Sequence, residues 1–376
     1  MAERLPLQGR RVAEVLATST GGVGTHVRAV LPALGAAGAA VRVCGPSATE
    51  ALFAFTAAGA AFAPVEISAG LSPAADARAV AALRRATADA DLVHAHGLRA
   101  GLVAAAARRL GAGRDRPLVL TLHNALPEGG GALRRVLRLA ERATVRGADV
   151  VLAASADLAE NAWRQGARDV RVAPVSAPPL PAPSRPAAEV RAELGLADGR
   201  PLVVAVGRLH PQKDYDVLLD AATWWARDPQ PPLVAVAGDG PLHDELAARI
   251  AAERLPVVLL GRRGDVADLL AAADLAVLPS RWEARSLTAQ EALRVGTPLV
   301  ATRTGGLPEL LGDGAALVPV GDAAALADAV TALLADPARA RELAAAGTAQ
   351  AATWPDEAAT ARQLVALYRE LLGAPR

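Results

Sequence analysis

Short apolar runs of strand length alternate along this chain with longer Ala, Leu and Arg segments whose apolar positions recur at helical spacing. Runs at 12–17, 40–44, 91–94, 118–122, 150–154 and 170–173 predict strands in the first half, and runs at 202–206, 233–237, 257–260, 275–278 and 298–301 predict strands in the second. Such repetition is the pattern of β-α units on parallel sheets, so an α/β chain with two Rossmann-like sheets is expected. Between the two sets Pro174, Pro178, Pro179, Pro181, Pro183 and Pro186 crowd together, a density that forbids helix and favours an extended connector. The expected domains are therefore 1–180 and 186–354. Three helical segments, starting near Ala323, Pro337 and Pro355, close the chain, and 355–376 is expected to return to the first domain.

Composition supports this division, since 376 residues at roughly 150 per domain suggest two domains. An apolar fraction of 52% with 21% charged residues is globular, and 3% aromatic residues leave few platforms for stacking bases, so no nucleic-acid partner is expected. The longest apolar stretch, 51–65, is broken by Thr56, Gly59 and Pro64 and is shorter than the roughly 20 residues of a membrane span. Charges at Glu3, Arg4, Arg10, Arg11 and Glu14 do not form an export signal. The lone cysteine, Cys44, sits in an apolar run as a buried thiol. A cytoplasmic protein is expected. The net charge of +1 hides an asymmetry: residues 1–185 carry 22 arginines against 14 carboxylates (+8), which leaves the rest at −7. A basic half suits an anionic ligand or membrane surface, and drift of surface charge also accounts for it.

Candidate chemistry lies at strand ends, where open α/β sheets border their ligand crevice. After the first strand come Gly21, Gly22 and Gly24 before a helix, a turn that suits a phosphate or sugar and equally suits a sharp bend. His94, His96 and His123 end two neighbouring strands. The histidines at 94 and 96 are read as alternating across the strand, with no cysteine or carboxylate to complete a ligand set, so no metal is expected. In the second half Arg208 and Lys213 share one β-α loop, and Lys213 is the only lysine in the chain. Two cations near a helix N-terminus suit a diphosphate. Further on, Glu283 and Glu291 flank a strand-to-helix turn, and carboxylates there suit the hydroxyls of a sugar or ribose.

Taken in order, these segments resemble family 4 of the retaining glycosyltransferases, bacterial group 1 enzymes of GT-B architecture. The resemblance is carried by Gly207, Arg208 and Leu209 with Lys213, by Gly238, Asp239, Gly240, Pro241 and Leu242, and by Glu283 with seven residues before Glu291. It continues through Gly296, Thr297 and Pro298, and through Gly305, Gly306, Leu307, Pro308 and Glu309. In the first half Gly21 to His26 and Asp91 to Gly97 resemble the family's forms.

The resemblance implies two Rossmann-like domains facing each other across a cleft, and a hexosyltransferase-type enzyme moving a sugar from a nucleotide-diphosphate donor to an acceptor hydroxyl. It implies that Arg208 and Lys213 bind the diphosphate and stabilise it as leaving group, that Glu291 holds the ribose, and that Glu283 contacts the sugar beside Ala284, Arg285, Ser286 and Leu287. Gly21, Gly22 and Gly24 would close on the donor from the other domain, and His96 would touch the sugar. Arg262 would lie near the base, and His123 with Asn124 near the acceptor. No cofactor or metal is implied, and Lys213→Ala is expected to lose activity with stability nearly unchanged.

One departure stands out: the family follows its first glutamate with Gly and an aromatic, whereas Glu283 is followed by Ala284 and Arg285. A non-catalytic nucleotide-sugar-binding protein, or a phosphorylase or epimerase on the same architecture, therefore remains an alternative. The acceptor is open, lipid-linked or anionic. Arg134, Arg135, Arg138, Arg142 and Arg146 recur at helical spacing with Leu133, Val136, Leu137, Leu139 and Ala140 available to pack. This is either a solvated helix face or peripheral contact with anionic lipid at the inner face of the cell membrane.

Overall fold

A computed structural model describes residues 5–19, 21–70, 72–110, 115–126, 131–177, 180–196 and 199–373; Thr20, Pro178 and Pro179 fall outside these, as does the side chain of Leu133. The chain forms two compact units, Met1–Ser176 with Pro355–Arg376, and Ala177–Trp354.

Among the described residues the first unit holds seven parallel strands: β1 Arg11–Leu16, β2 Ala40–Gly45, β3 Ala61–Pro64, β4 Leu92–His96, β5 Leu118–Leu122, β6 Val150–Ala153 and β7 Val170–Val172. Their spatial order is β3-β2-β1-β4-β5-β6-β7. The second unit holds six: β8 Leu202–Val206, β9 Leu233–Ala237, β10 Val257–Gly261, β11 Leu275–Leu278, β12 Leu299–Thr302 and β13 Ala316–Val318, in the order β10-β9-β8-β11-β12-β13. Both are doubly wound Rossmann-like sheets, as the periodicity predicts. The strands absent from that reading are β3 and β13, which are short edge strands; β3 ends on Pro64, which cannot donate to a ladder.

Strands covered by helices on both faces must be apolar on both. In the second unit Val203, Val234, Val277 and Val300 point into one core with Leu218 and Val330, while Leu202, Val204, Leu278 and Leu299 point into the other with Leu293 and Leu307. That is the period-2 alternation of a strand, and each such side chain contributes about 1.5–3 kcal/mol of burial. In the first unit the last helix, Glu357–Leu372, is capped by the Asp356 carboxylate, which accepts from the Ala359 N–H at 2.6 Å. Its Leu364, Leu367 and Tyr368 recur on one face and bury against Val12, Leu92 and Val150.

Each sheet reverses its winding once, between β1 and β4 and between β8 and β11. Loops leaving adjacent strands in opposite directions open a crevice at the strands' carboxyl ends there, so these two points position any ligand. No helix of the described residues is long and apolar enough to cross a membrane.

Candidate functional site

In the second unit the crevice is built from the loops after β8 and β11. The run from Gly238 to Leu242 clamps the first of these: Leu209 N–H donates to Asp239 O (3.0 Å) and Leu242 N–H to Leu209 O (3.1 Å). A Cβ on Gly238 would lie 1.9 Å from Gly207 O, so glycine is required for this close approach. The loop then turns through Pro211–Lys213 to Asp214, a non-glycine residue at φ +52, whose buried carboxylate is held by Arg281 at 2.9 Å. This left-handed residue directly precedes the helix Tyr215–Trp225 and aims the Lys213 side chain back over the strand ends.

Lys213 Nζ sits 2.6 Å from Glu283 Oε1, and the fully buried Ser280 donates to the same oxygen at 2.8 Å. Glu283 is 7% exposed, so its charge depends on these partners. The second loop is tied to the first, because Arg281 N–H donates to Gln212 O (2.8 Å) and the Gln212 amide to Trp282 O (2.9 Å). Gly306 N–H donates to Glu283 O at 2.9 Å, which brings the loop after β12 alongside. Ser286 caps the helix Leu287–Val295, accepting from Ala289 N–H, and one turn in, Glu291 is half-buried. Burial pushes the Glu291 carboxyl up against the pull of Arg294 and Lys213. Lys213 is thus paired with Glu283 and acts on Glu291 through its charge. Arg208 is exposed, with no hydrogen-bond or ion-pair partner among the described residues.

Arg262 is exposed after β10, whereas its neighbour Arg263 is occupied by Asp265 and Glu193. Ala284 is buried and Leu287 half-buried. The Arg285 guanidinium lies 5.7 Å from the Trp354 ring, and its Nε and Nη2 are buried with no hydrogen-bond partner among the described residues. Burial pushes its pKa down, with Arg294 adding to this and Glu309 opposing it.

In the first unit Gly21 has open space where a Cβ would be, but a Cβ on Gly24 would lie 2.2 Å from the Phe53 ring. Packing therefore accounts for glycine at 24, in the first turn of the helix Gly22–Ala36. The expectation for His94 and His96 is overturned: residues two apart on a strand share a face, and their ring centroids are 4.1 Å apart. A carboxylate also joins them. Glu14 of β1, fully buried, accepts from His96 Nε2 at 2.7 Å and from the Tyr368 hydroxyl at 2.8 Å. His94 contacts Tyr368 through Nδ1 (2.5 Å) and Thr121 through Nε2 (2.6 Å). His96 Nδ1 meets His123 Nε2 at 3.2 Å, and His26 lies edge-on to both rings.

Ligand atoms of Glu14, His94 and His96 all lie within 4.8 Å of one another, a spacing that would admit a cation, but the histidine nitrogens involved already have hydrogen-bond partners. Burial pushes His26 down to about 3 and holds His94 and His123 well below the usual imidazole range, with charge on His96 adding to it. His123 is half-buried at the strand end and Asn124 exposed.

The sequence reading missed Glu14, Tyr368, Ser280 and Asp214. Glu14 alone had a local signal, a carboxylate inside an apolar strand. The arginine-bearing helix Gly131–Gly147 exposes Arg135, Arg138, Arg142 and Arg146, but Val136 (49% exposed) and Leu139 (66%) do not pack as expected; they share the open face.

Two family models match: residues 187–350 match glycosyl transferases group 1, and residues 21–178 a glycosyl transferase 4-like domain. The chain is 32% identical over 310 residues to the alpha-maltose-1-phosphate synthase of Mycolicibacterium smegmatis, covering 75% of this chain and 79% of that one. It is 34% identical to a D-inositol 3-phosphate glycosyltransferase of Nocardia farcinica, covering 75% and 67%. Among solved structures it is similar to HepE from Anabaena in complex with UDP and glucose (TM-score 0.80, 23% identity, 96% and 100% covered). It is also similar to the sucrose-phosphate synthase of Thermosynechococcus elongatus (TM-score 0.79, 23% identity, 96% and 99% covered).

Proposed function

The chain belongs to the group 1 glycosyl transferases and is a glycosyltransferase of GT-B fold, and from that premise we propose a retaining, metal-independent transfer of sugar from a nucleotide-diphosphate donor to an acceptor hydroxyl. The observation that carries this reading is Lys213 paired with Glu283 at the carboxyl edge of β8 and β11, with Glu291 close enough to feel its charge. Lys213 and the unpaired Arg208 bind the diphosphate. Glu291 takes the ribose hydroxyls, and Glu283 the sugar, next to the N–H groups of Ala284 to Leu287 at a helix start. Arg262 lies by the base, and Arg285, with Nε and Nη2 buried and unpartnered among the described residues, follows Ala284 beside the sugar. Gly21 and Gly22, with the packing-constrained Gly24, form the first unit's donor loop. The His96 side chain is buried with both ring nitrogens taken by Glu14 and His123, so it backs His123 rather than touching the sugar as expected, and His123 and Asn124 serve the acceptor.

In the reaction the acceptor oxygen bonds to the anomeric carbon on the face from which the diphosphate departs. The carbon–oxygen bond to the diphosphate breaks, its electron pair stays on phosphate, and that oxygen takes the hydroxyl proton. The two cations supply at the leaving group the charge a divalent ion would otherwise bring. HepE's complexes with UDP and glucose support a UDP-sugar as the first donor to try. Relatives named for phosphorylated maltose and inositol, together with the +8 half, support an anionic acceptor. Peripheral contact with anionic lipid is proposed for the exposed basic face of Gly131–Gly147.

Thermal-shift titration with UDP, GDP, ADP, TDP and their common sugars in EDTA tests the donor, since a ligand bound by the native state raises Tm. One nucleotide should stabilise, and the anomeric configuration of the product should match the donor's. No shift with any nucleotide for folded protein, or an inverted product, would sink the reading.

A further inference from the structure

The two cations of the loop after β8 are not equally free. Arg208 is exposed and has no hydrogen-bond or ion-pair partner among the described residues, so an anion meets it without breaking a contact. Lys213, the only lysine of the chain, is already taken: its Nζ lies 2.6 Å from Glu283 Oε1, with the two side chains 16% and 9% exposed. That oxygen also accepts from the buried Ser280 hydroxyl at 2.8 Å, whereas Oε2 has no hydrogen-bond partner among the described residues. Glu283 therefore has two donors, one of them its countercharge, and a second oxygen with its acceptor capacity unused. Its backbone is fixed, since Gly306 N–H donates to its carbonyl at 2.9 Å and a Cβ on Gly305 would lie 2.1 Å from the same carbonyl oxygen.

We propose that Glu283 is a specificity-determining residue that withholds Lys213 from a bare nucleoside diphosphate and yields it to one that carries a sugar. A diphosphate that binds Lys213 draws the ammonium from a buried carboxylate, and a buried charge deprived of its partner is costly. A sugar hydroxyl that donates to Oε2 returns a hydrogen bond to Glu283 as Lys213 leaves Oε1. A nucleoside diphosphate without its sugar brings no such group to that oxygen. The same balance acts after transfer: once the sugar has gone, the return of Lys213 to Glu283 favours release of the diphosphate. The roles of Lys213 at the diphosphate and of Glu283 at the sugar rest on the function proposed above, whereas the pair itself rests on the geometry alone.

A single lysine makes the pair directly observable, because ¹⁵Nζ-lysine labelling of the full chain gives one side-chain resonance, that of Lys213. Without ligand it should move in Glu283→Gln, and an unmoved resonance would remove the pair whatever the donor. Isothermal titration of UDP and UDP-glucose into wild type, Glu283→Gln and Ser280→Ala then tests the selection. Glu283→Gln should bind UDP at least about tenfold tighter and gain less for UDP-glucose, so that the preference for the sugar-bearing form falls. Ser280→Ala removes a neutral donor and leaves Glu283 more dependent on Lys213, so UDP should bind about threefold weaker, with UDP-glucose less affected. Plain repulsion between Glu283 and the diphosphate would instead tighten both ligands equally in Glu283→Gln and change neither in Ser280→Ala. A sugar contact alone would leave UDP affinity as it is in both variants. Either pattern would overturn the proposal. If wild type binds neither ligand, the UDP-sugar reading fails, and inorganic pyrophosphate followed at the lysine resonance decides the gate in its place. It should move that resonance at a lower concentration in Glu283→Gln than in wild type; no response, or equal midpoints, would overturn the gate.

Discussion

Lys213 Nζ and Glu283 Oε1 form a 2.6 Å ion pair between the loops after β8 and β11, with both side chains largely buried. The pair changes what removing the lysine should do. On the sequence alone Lys213→Ala loses activity and little stability, but in the fold it strips a buried carboxylate of its countercharge. Lys213→Ala should lose about 10² to 10³ in transfer rate and also lower Tm. In Lys213→Ala/Glu283→Gln the stability should return and the activity should not. Calorimetry and UDP release separate the two, and full activity in either variant would remove Lys213 from the leaving-group role.

Glu291 gives a pH signature. Burial raises its folded pKa above the unfolded value, so the native state holds its proton more tightly and stability is lost as pH rises from about 4 through the folded pKa. Glu291→Gln removes that penalty. It should raise Tm at pH 7.5, match wild type at pH 4, and weaken nucleotide binding. A Tm below wild type at pH 7.5 would mean that the carboxylate is satisfied by its neighbours.

Gly238→Ala tests the clamp on the Arg208 loop. A methyl 1.9 Å from Gly207 O has to displace that loop, at a cost of about 1–3 kcal/mol, and nucleotide affinity should fall with it. Gly21→Ala, where a Cβ meets nothing within 4 Å, should keep Tm within about 1 °C of wild type. Equal losses in both variants would contradict the packing described.

The exposed face of Gly131–Gly147 predicts flotation with vesicles of phosphatidylglycerol at low salt, lost at high salt and in Arg135→Glu/Arg138→Glu. Absence of binding at low salt would leave that face solvated only.

The proposed role of Arg208 and Lys213 at the phosphates predicts that EDTA treatment leaves UDP affinity and turnover unchanged. Activity lost with EDTA and restored by a divalent ion would require a metal at the site.

How much of this was legible beforehand depended on the range of the interactions. Strand and helix periodicity, the two Rossmann-like sheets and the loops carrying Arg208, Lys213, Glu283 and Glu291 are written locally, since a period of 2 or 3.6 and a glycine turn are properties of neighbouring residues. The edge strands β3 and β13 escape that reading, and length is not the reason, since β7 is as short as β13; β3 ends on Pro64 inside an apolar stretch broken by Gly59.

What the sequence by itself determined is thus the fold class and the identity of the groups at the strand ends. Only the tertiary structure decided their partners. It set Lys213 against a glutamate 70 positions away, and it brought Glu14 of the first strand to His94, His96 and a tyrosine 354 positions on. A buried carboxylate must find donors wherever the packed core supplies them, and in a parallel sheet those donors come from strands and helices remote in the chain.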